Sequence, residues 1–369
     1  MTRLYLHIGT EKTGTTSIQR FLDVNRGVLR QNGILFPTAP GRRNQTQLAV
    51  AAQNDRKRGD KRLRKKLEIE TASDAQVFRE RLCNELAEEL AASDCSTVIM
   101  STEHCSSRLL RPLEVPRLRD LLSPLFSDIR IVVYLRRQDD FLLSTYSTSV
   151  KSGSTEALRI PGPRMTEAHY DHWVLLSRWA EAFGQDRMIC RRFEKSELKG
   201  GDVVDDFLDA IGIAGRPPFR RPAAANESLD ASSLEFLRLF NKFVPGSDAT
   251  RGRLLRLLNS RPSDGTLVTL DPEELAAFMA RFTESNRKVA NTYFGGERRD
   301  SDDPLFPSRS DRRARARPAP LTAEQAVEIS AWLWRRGDRE LKREAAKPKM
   351  EGSRVRRQKH ANATSHSVA

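Results

Sequence analysis

The stretch LHIGTEKTGTTSIQRFL, residues 6–22, decides how the rest of the chain is interpreted. The chain opens with RLYLHI, a mostly apolar run that predicts a buried first strand. Two glycines five residues apart then bound a tight turn, and the apolar side chains beyond it recur at helical spacing. Thr15 or Thr16 is expected to cap the helix. The stretch therefore predicts a strand, a tight loop and a helix.

The loop resembles a phosphate-binding loop whose lysine has moved. The ordinary pattern GxxxxGK[ST] has its lysine directly after the second glycine. Here Gly9 and Gly14 have that spacing, but Thr15 follows the second glycine and the lysine is Lys12. Backbone N–H groups at a helix start favour an anion. Hydroxyl donors are added there by Thr13, Thr15, Thr16 and Ser17. The loop predicts a site for one phosphate group and suits a magnesium-bound triphosphate poorly.

A second informative stretch is VVYLRRQDDFLLSTYSTSVKSG, residues 132–153. Arg136 lies at the carboxyl end of a predicted buried strand, and Ser144 lies eight residues later, two turns into the next predicted helix. Ligands of open α/β sheets bind at the carboxyl ends of strands. An arginine there can make a forked, charge-assisted contact with a phosphate, and the serine can add a donor.

Together the two stretches resemble the sulfotransferases that use 3′-phosphoadenosine 5′-phosphosulfate (PAPS), in the variant LHIGxxKTGTTS typical of bacterial members. In that family the pattern K-[ST]-G-T-[TS] holds the 5′-phosphosulfate, and a strand-end Arg with a Ser eight residues later holds the 3′-phosphate. The resemblance covers about residues 3–215. It is carried by Lys12, Thr13, Gly14, Thr15 and Thr16 in the loop, and by Arg136 and Ser144.

The resemblance implies an enzyme that moves a sulfuryl group from PAPS to a hydroxyl or amine of an acceptor, with a saccharide or glycoconjugate expected. In phosphoryl transfer, which this reaction resembles, the protein mainly positions groups and stabilises charge. Lys12 is expected to stabilise the leaving oxygen as well as to bind the cofactor, and Ser17 is expected to contact the cofactor. No metal is required by this chemistry.

A base must take the proton of the acceptor, and the candidates follow the predicted strand STVIMST. Glu103 is the first choice and His104 the second. Adjacent residues usually point apart, so one of the two is expected to face the site. The alternative for each is a surface or helix-cap role. His7, inside the first strand, is expected to be a packing residue hydrogen-bonded to a neighbour.

The formal net charge is +14, and most of it is concentrated in two segments. Residues 41–66 have a net charge of +8 and residues 308–369 a net charge of +9, which leaves −3 for the remainder. Basic islands on an acidic body argue against nucleic acid as a partner. Segment 41–66 is either a solvated loop and helix or, through Arg42 and Arg43, a site for an anionic acceptor such as an acidic saccharide.

Strands that alternate with helices predict an α/β fold, a three-layer, P-loop-like arrangement with a central parallel sheet flanked by helices. The C-terminal part is predicted to be mainly helical. The expected domains are residues 1–300, with a basic insertion at about 41–66, a helical extension at 301–345 and a basic disordered tail at 346–369.

The remaining features of the sequence narrow the class of protein. The spacing of the four cysteines predicts reduced structural thiols and no metal site. No apolar run reaches the length of a membrane-spanning helix and no signal peptide is apparent, so a cytoplasmic location is expected. The oligomeric state is left open by the sequence.

Two other functions remain open at this point. A nucleotide kinase or NTPase with a divergent loop would need a magnesium-binding acid after a strand, for which Glu103 is available, and a lysine beside the second glycine, which the sequence lacks. The second open function is that of a binding module, which would hold an anionic glycan or a nucleotide without catalysis. Retention of Lys12, Arg136 and Ser144 argues against a module without activity.

Overall fold

The structure, a computed structural model, describes residues 2–54, 61–213, 219–222, 229–244, 248–263, 265–308, 315–316 and 320–345. It divides into two compact units, each discontinuous in the sequence. The first comprises residues 1–146, 158–226 and 270–312, and the second comprises residues 147–157, 227–269 and 313–369. The contiguous domain boundaries expected from the sequence stay a prediction, and the tail at 346–369 lies outside the described residues.

The centre of the first unit is a parallel sheet, in which five strands pair among the described residues in the order β2-β3-β1-β4-β5. This confirms the predicted α/β fold with a central parallel sheet. The strands are β1 (Arg3–His7), β2 (Ile34–Leu35), β3 (Thr97–Ser101), β4 (Asp128–Leu135) and β5 (Met188–Arg192).

Helices connect the strands in the first unit and form most of the second unit. Among the described residues of both units, the helices in chain order are α1 (Thr15–Val24), α2 (Arg26–Gln31), α3 (Thr46–Ala52), α4 (Lys61–Lys66), α5 (Ala72–Ala91), α6 (His104–Arg108), α7 (Glu114–Leu122), α8 (Gln138–Lys151), α9 (Pro163–Tyr170), α10 (His172–Phe183), α11 (Val203–Ala210), α12 (Ala231–Phe243), α13 (Asp248–Asn259), α14 (Pro272–Ala280), α15 (Thr283–Tyr293) and α16 (Ala323–Ala345).

The sheet has a hydrophobic core on each face, because successive side chains of a strand point to opposite sides. Leu4 and Leu6 of β1 belong to one core, which includes Trp179 of α10. Tyr5 belongs to the other core, with Phe21 of α1 and Phe207 of α11. Burial on both faces explains why β1 and β4 appear in the sequence as nearly continuous apolar runs.

Several elements differ from the sequence-based expectation. Residues 15–29, predicted as one helix, form two: α1 ends at Val24 and α2 begins at Arg26, and the side chain of Asn25 between them donates to the Phe21 carbonyl. The prediction did not include β2 or α9. Segment 41–66, expected as a loop and an exposed helix, contains the buried helix α3 as well as α4, and its residues 55–60 lie outside the described residues.

The second unit contains α12, α13 and α16 together with a small parallel pair of strands, β6 (Leu267–Val268) and β7 (Arg315–Ala316). Asp230 caps α12 through the Ser233 N–H and pairs with Arg261 at 2.9 Å. The predominance of helix in this part of the chain agrees with the sequence-based prediction.

One buried carboxylate ties the first unit together. Asp206 of α11 is fully buried, and its oxygens accept hydrogen bonds from the Tyr134 hydroxyl at 2.8 Å and from the Arg191 guanidinium at 2.5 and 2.9 Å. The backbone N–H of Lys199 donates at 3.0 Å. Burial alone would raise the pKa of Asp206, but these donors together hold it below its ordinary value.

We expect Asp206→Asn to destabilise the protein by about 3 kcal/mol at neutral pH, because it leaves Arg191 and Tyr134 facing an amide. The folded-state pKa is depressed, so the stabilisation is present above the unfolded value of about 4 and is lost as the pH falls through the folded value. Urea unfolding of both proteins between pH 7 and 3 measures this. A difference between them that does not shrink in acid would contradict it.

Candidate functional site

The candidate site lies where the strand order reverses. From β1 the chain moves towards β3 and β2 on one side, and later towards β4 and β5 on the other. In parallel α/β sheets a crevice opens at such a point, outside the carboxyl ends of the strands. The loop after β1 and the residues after β3 and β4 meet there. Lys12, Glu103 and Arg136, which follow the ends of β1, β3 and β4, therefore lie at one edge of the sheet.

The loop after β1 is packed so closely that its two glycines have no room for side chains. Gly9 has φ +98°, and a Cβ there would lie 3.0 Å from Cα and Cβ of Glu103. Gly14 has φ +75°, and a Cβ there would lie 2.8 Å from Val203 Cγ1 and 3.3 Å from the Phe193 ring. The loop is also fixed to β4, because the Thr10 N–H donates to the Tyr134 carbonyl at 3.0 Å.

The start of α1 differs from the sequence-based expectation. Neither Thr15 nor Thr16 caps the helix; the N-cap is Gly14 in the left-handed conformation, without a side-chain cap. Because Gly14 is the N-cap, the helix begins at Thr15, and both threonines lie in its first turn. Thr15 is buried, whereas Thr16 and Ser17 are exposed. The Ser17 N–H donates to the Gly14 carbonyl at 2.9 Å, whereas the N–H groups of Thr15 and Thr16 have no intrahelical acceptor, as at any helix start.

The Thr13 hydroxyl is used inside the loop. Thr13 is fully buried and donates to the Thr10 carbonyl at 2.6 Å. The expected role of the loop residues in binding a cofactor stays a prediction.

Lys12 and Arg136 are brought together by a direct hydrogen bond. The Arg136 guanidinium donates to the Lys12 carbonyl at 2.8 Å, and it lies 5.6 Å from the centre of the Phe193 ring. The pKa of Lys12 is lowered, first by partial burial and further by the positive charge of Arg136, while Glu11 and Glu103 act in the opposite direction. The Arg136 guanidinium thus lies against the backbone of the loop, and its charge acts on the Lys12 ammonium group.

His172, which the sequence analysis did not single out, supports the backbone of Arg136. The His172 ring is buried, and its Nε2 donates to the Arg136 carbonyl at 2.9 Å, since a carbonyl oxygen can only accept. Burial lowers the pKa of His172. The ring packs against Phe306, whose N–H donates to Asp303 at 2.9 Å. Residues near position 300 therefore help to hold the strand-end arginine.

Of the two candidate bases, Glu103 is the one turned towards the loop. Its carboxylate accepts hydrogen bonds from Gln19 Nε2 at 2.8 Å and from Asn44 Nδ2 at 3.0 Å, and its Cβ faces Gly9. It also acts electrostatically on Lys12. The structure thus places Lys12, Arg136 and Glu103 at the same edge of the sheet, after the ends of three strands.

His104 fits the role of base less well. Its Nδ1 is buried and has no hydrogen-bond partner among the described residues. An imidazole that takes a proton on Nε2 must carry hydrogen on both nitrogens, and a buried N–H without an acceptor is costly. The choice of Glu103 over His104 stays a prediction, and this geometry favours it.

Ser144 and Arg137 complete the second predicted stretch. Ser144 lies two turns into α8 and is half-buried, so its place at a 3′-phosphate stays a prediction. Arg137 forms an ion pair with Asp139 at 3.3 Å.

The sequence reasoning missed two amides that hold Glu103. Gln19 is buried on the sheet side of α1, and Asn44 lies in the segment before α3. Gln19 comes 84 residues before Glu103 and Asn44 comes 59 residues before it, so no local pattern connects them. For Gln19, the one signal in the sequence was its position on the apolar face of α1, which indicates a buried polar side chain.

Arg42 and Arg43 of the basic segment both form ion pairs with a single acid, Asp23. Arg42 and Arg43 lie 3.3 and 3.4 Å from the carboxylate of Asp23, and Arg26 also pairs with it at 3.2 Å. Arg42 is 82% exposed and Arg43 is 52% exposed. Three guanidinium groups on one carboxylate leave a positive surface next to Asn44.

His7 is fully buried, as the sequence predicted, and its Nδ1 lies 2.8 Å from the Ser101 hydroxyl. Burial lowers the pKa of His7 to about 3. No helix among the described residues is long and apolar enough to cross a membrane. The same residues contain no cluster of three or more His, Cys, Asp or Glu side chains that could hold a metal ion.

Comparisons with known proteins give few relatives. No family model matches the sequence. An uncharacterised protein of Archaeoglobus fulgidus is 33% identical over 172 residues, which are 45% of this chain and 46% of that protein. The chain thus spans less than half the length of the curated relative that it matches.

Among solved structures, a sulfotransferase from Alicyclobacillus acidocaldarius aligns with 70% of this chain and 96% of its own length. The sequence identity is 17% and the TM-score is 0.37. At these values the function has to be argued from the site residues.

We expect Gly14→Ala to destabilise the protein by more than Gly33→Ala. Both glycines have φ above +70°, so both substitutions carry the left-handed strain of about 1–2 kcal/mol. Only at Gly14 does the new Cβ also meet a neighbour, Val203, because Gly33 has nothing within 4 Å. Urea unfolding measures the free energy of both variants.

A double-mutant cycle with Val203→Ala isolates the clash. Gly14→Ala should be less harmful in the Val203→Ala background than in the wild type. Equal costs in the two backgrounds would mean that the close approach of the loop to α11 does not constrain Gly14.

Proposed function

We propose that the protein is a sulfotransferase that moves the sulfuryl group of PAPS to a hydroxyl or amine of an acceptor. The observation that supports this most is the junction of Lys12 and Arg136, two cations from neighbouring strands, at a helix start and opposite the Glu103 carboxylate. The match of the loop to the sulfotransferase pattern and the spacing of Arg136 and Ser144 point to the same reaction.

The residues present fit a donor with two anionic ends. Backbone N–H groups of the loop and of the first turn of α1, with Lys12, would hold the 5′-phosphosulfate. Arg136 and Ser144 would hold the 3′-phosphate. The glycines at positions 9 and 14 let the loop pack closely on its neighbours, since a Cβ would meet Glu103 at the first position and Val203 at the second. PAPS supplies an activated sulfuryl group with a phosphate leaving group.

The chemical step needs one base and one charge stabiliser. The acceptor oxygen or nitrogen bonds to sulfur while the bond between sulfur and the 5′-phosphate oxygen breaks, and the proton of the acceptor passes to Glu103. Lys12 stabilises the negative charge that grows on the departing phosphate oxygen. The reaction balances without an oxidant, a reductant or a further co-reactant.

The acceptor in this proposal is a saccharide or glycoconjugate, and an anionic one fits best. Arg42 and Arg43 are exposed beside Asn44, which contacts Glu103 directly. A negatively charged acceptor would thus meet positive charge next to the proposed base. The expected cytoplasmic location also stays a prediction.

The donor site is tested by calorimetric titration with 3′-phosphoadenosine 5′-phosphate in the absence of magnesium. We expect micromolar binding to the wild type and about 10- to 100-fold weaker binding to Lys12→Ala and to Arg136→Ala, because each removes a charged hydrogen-bond donor. Arg130→Ala is the matched control, since Arg130 lies on β4, the strand that Arg136 follows, and pairs with Asp128 at 3.2 Å. Its affinity should stay within about twofold of the wild type.

Two outcomes would overturn the proposal. Binding of ATP with Mg²⁺ and none of 3′-phosphoadenosine 5′-phosphate would favour the kinase or NTPase reading. Binding of the nucleotide without sulfuryl transfer to any sulfatable saccharide would favour a binding module.

The anionic acceptor is tested with the double variant Arg42→Ala/Arg43→Ala. We expect its KM for an anionic saccharide to rise about tenfold at low salt, and the difference from the wild type to shrink as salt screens the charges. Arg79→Ala/Arg81→Ala on α5 is the control, with an unchanged KM. A KM that does not respond to the loss of Arg42 and Arg43 would remove the charge-based recognition.

A further inference from the structure

Both oxygens of the Glu103 carboxylate are held by side-chain amides. Gln19 Nε2 donates to Oε2 at 2.8 Å, and Asn44 Nδ2 donates to Oε1 at 3.0 Å. Gln19 belongs to α1, the helix whose first turn closes the loop, and Asn44 belongs to the basic segment. The carboxylate is therefore fixed from the loop side and from the basic segment at once.

The hydrogen-bond network determines which way each amide points. The Thr46 hydroxyl donates to Asn44 Oδ1 at 3.1 Å, so the amino group of Asn44 is the part turned to Glu103. The amino group of Gln19 also lies 3.5 Å from the Ser101 carbonyl, which can only accept. Both amides are thus oriented as donors, and a flipped orientation would place oxygen against oxygen.

Gln19 is held in place by the sheet beneath it. Its side chain is 3% exposed, and its amino group lies 3.4 Å from the Ser101 hydroxyl, which in turn contacts His7 Nδ1 at 2.8 Å. Burial lowers the pKa of His7 to about 3, so its ring is neutral. Because Nε2 is buried without a partner among the described residues, the favoured tautomer donates from Nδ1 to the Ser101 hydroxyl. A buried hydrogen-bonded row thus runs from the first strand to the carboxylate.

We propose that Gln19 and Asn44 are positioning residues, a two-amide clamp that presents Glu103 to the acceptor as an oriented carboxylate. This inference rests on the proposed function. A carboxylate offers about four lone-pair positions and the clamp takes two, which leaves acceptor capacity for the incoming proton. Without the clamp the side chain would turn freely, and small displacements of a reacting group lower rates steeply.

The first measurement is kinetic. Gln19→Leu and Asn44→Leu should each lower kcat by about 10- to 100-fold, while the affinity for 3′-phosphoadenosine 5′-phosphate stays within about twofold. Asn25→Leu is the matched control, since Asn25 is another buried amide beside α1 that bonds to Phe21 and Arg220 and not to Glu103. Its melting temperature should fall and its kcat should stay within about twofold.

The second measurement needs no turnover. Side-chain amides labelled with ¹⁵N are observed by NMR in the wild type and in Glu103→Gln, and the variants Gln19→Leu and Asn44→Leu assign the signals. The NH₂ signals of Gln19 and Asn44 should move when Glu103 becomes an amide, and that of Asn25 should not. Asn44 is only half-buried, so its variant remains informative if Gln19→Leu does not fold.

The outcomes separate the clamp from the proposed function. NH₂ signals that stay in place in Glu103→Gln overturn the clamp, whatever the activity. Signals that move, with kcat unchanged in both leucine variants, overturn the positioning role. Signals that move in a protein that neither binds 3′-phosphoadenosine 5′-phosphate nor transfers a sulfuryl group overturn the proposed function and leave the clamp. Signals that move together with a reduced kcat support both.

Discussion

The contact between the loop backbone and its neighbours is the constraint on which the site depends. Gly9 lies against Glu103 and Gly14 against Val203, both with φ values that favour glycine. Side chains at either position would force β1 away from the residue after β3, or α1 away from α11. With glycine, the ends of three strands converge closely enough for Lys12, Arg136 and the Glu103 carboxylate to influence one another.

The surrounding fold places polar groups where the sheet can support them. Each charged site residue follows a strand that is buried on both faces, so its backbone position is set by apolar packing. Polar partners then hold individual groups in place. His172 donates a hydrogen bond to the backbone carbonyl of Arg136, and Gln19 and Asn44 donate to the carboxylate of Glu103. The hydrogen bonds of Asp206 with Tyr134 and Arg191 hold α11 in place, and Val203 of α11 lies against Gly14.

The sequence was most informative where a residue pattern depends on local geometry. The first and fourth strands were predicted because they are nearly continuous apolar runs, Arg136 followed from the end of the fourth strand, and Lys12 followed from the glycine spacing of the loop. The two residues of β2 are too few for any pattern, and the apolar α3 was hidden by the basic composition around it. The predicted threonine cap was wrong because the left-handed Gly14 takes that position.

The hydrogen bond from Arg136 to the Lys12 carbonyl connects the end of β4 to the loop after β1. The length of the loop and the alignment of these two strands therefore depend on each other. Lys12 itself has φ +62°, which turns its carbonyl within a stretch of only four residues between the two glycines. Insertion or deletion of one residue there would rotate that carbonyl away from the guanidinium and move the lysine along the helix axis. The length of this turn is therefore fixed by an arginine 124 residues further along the chain.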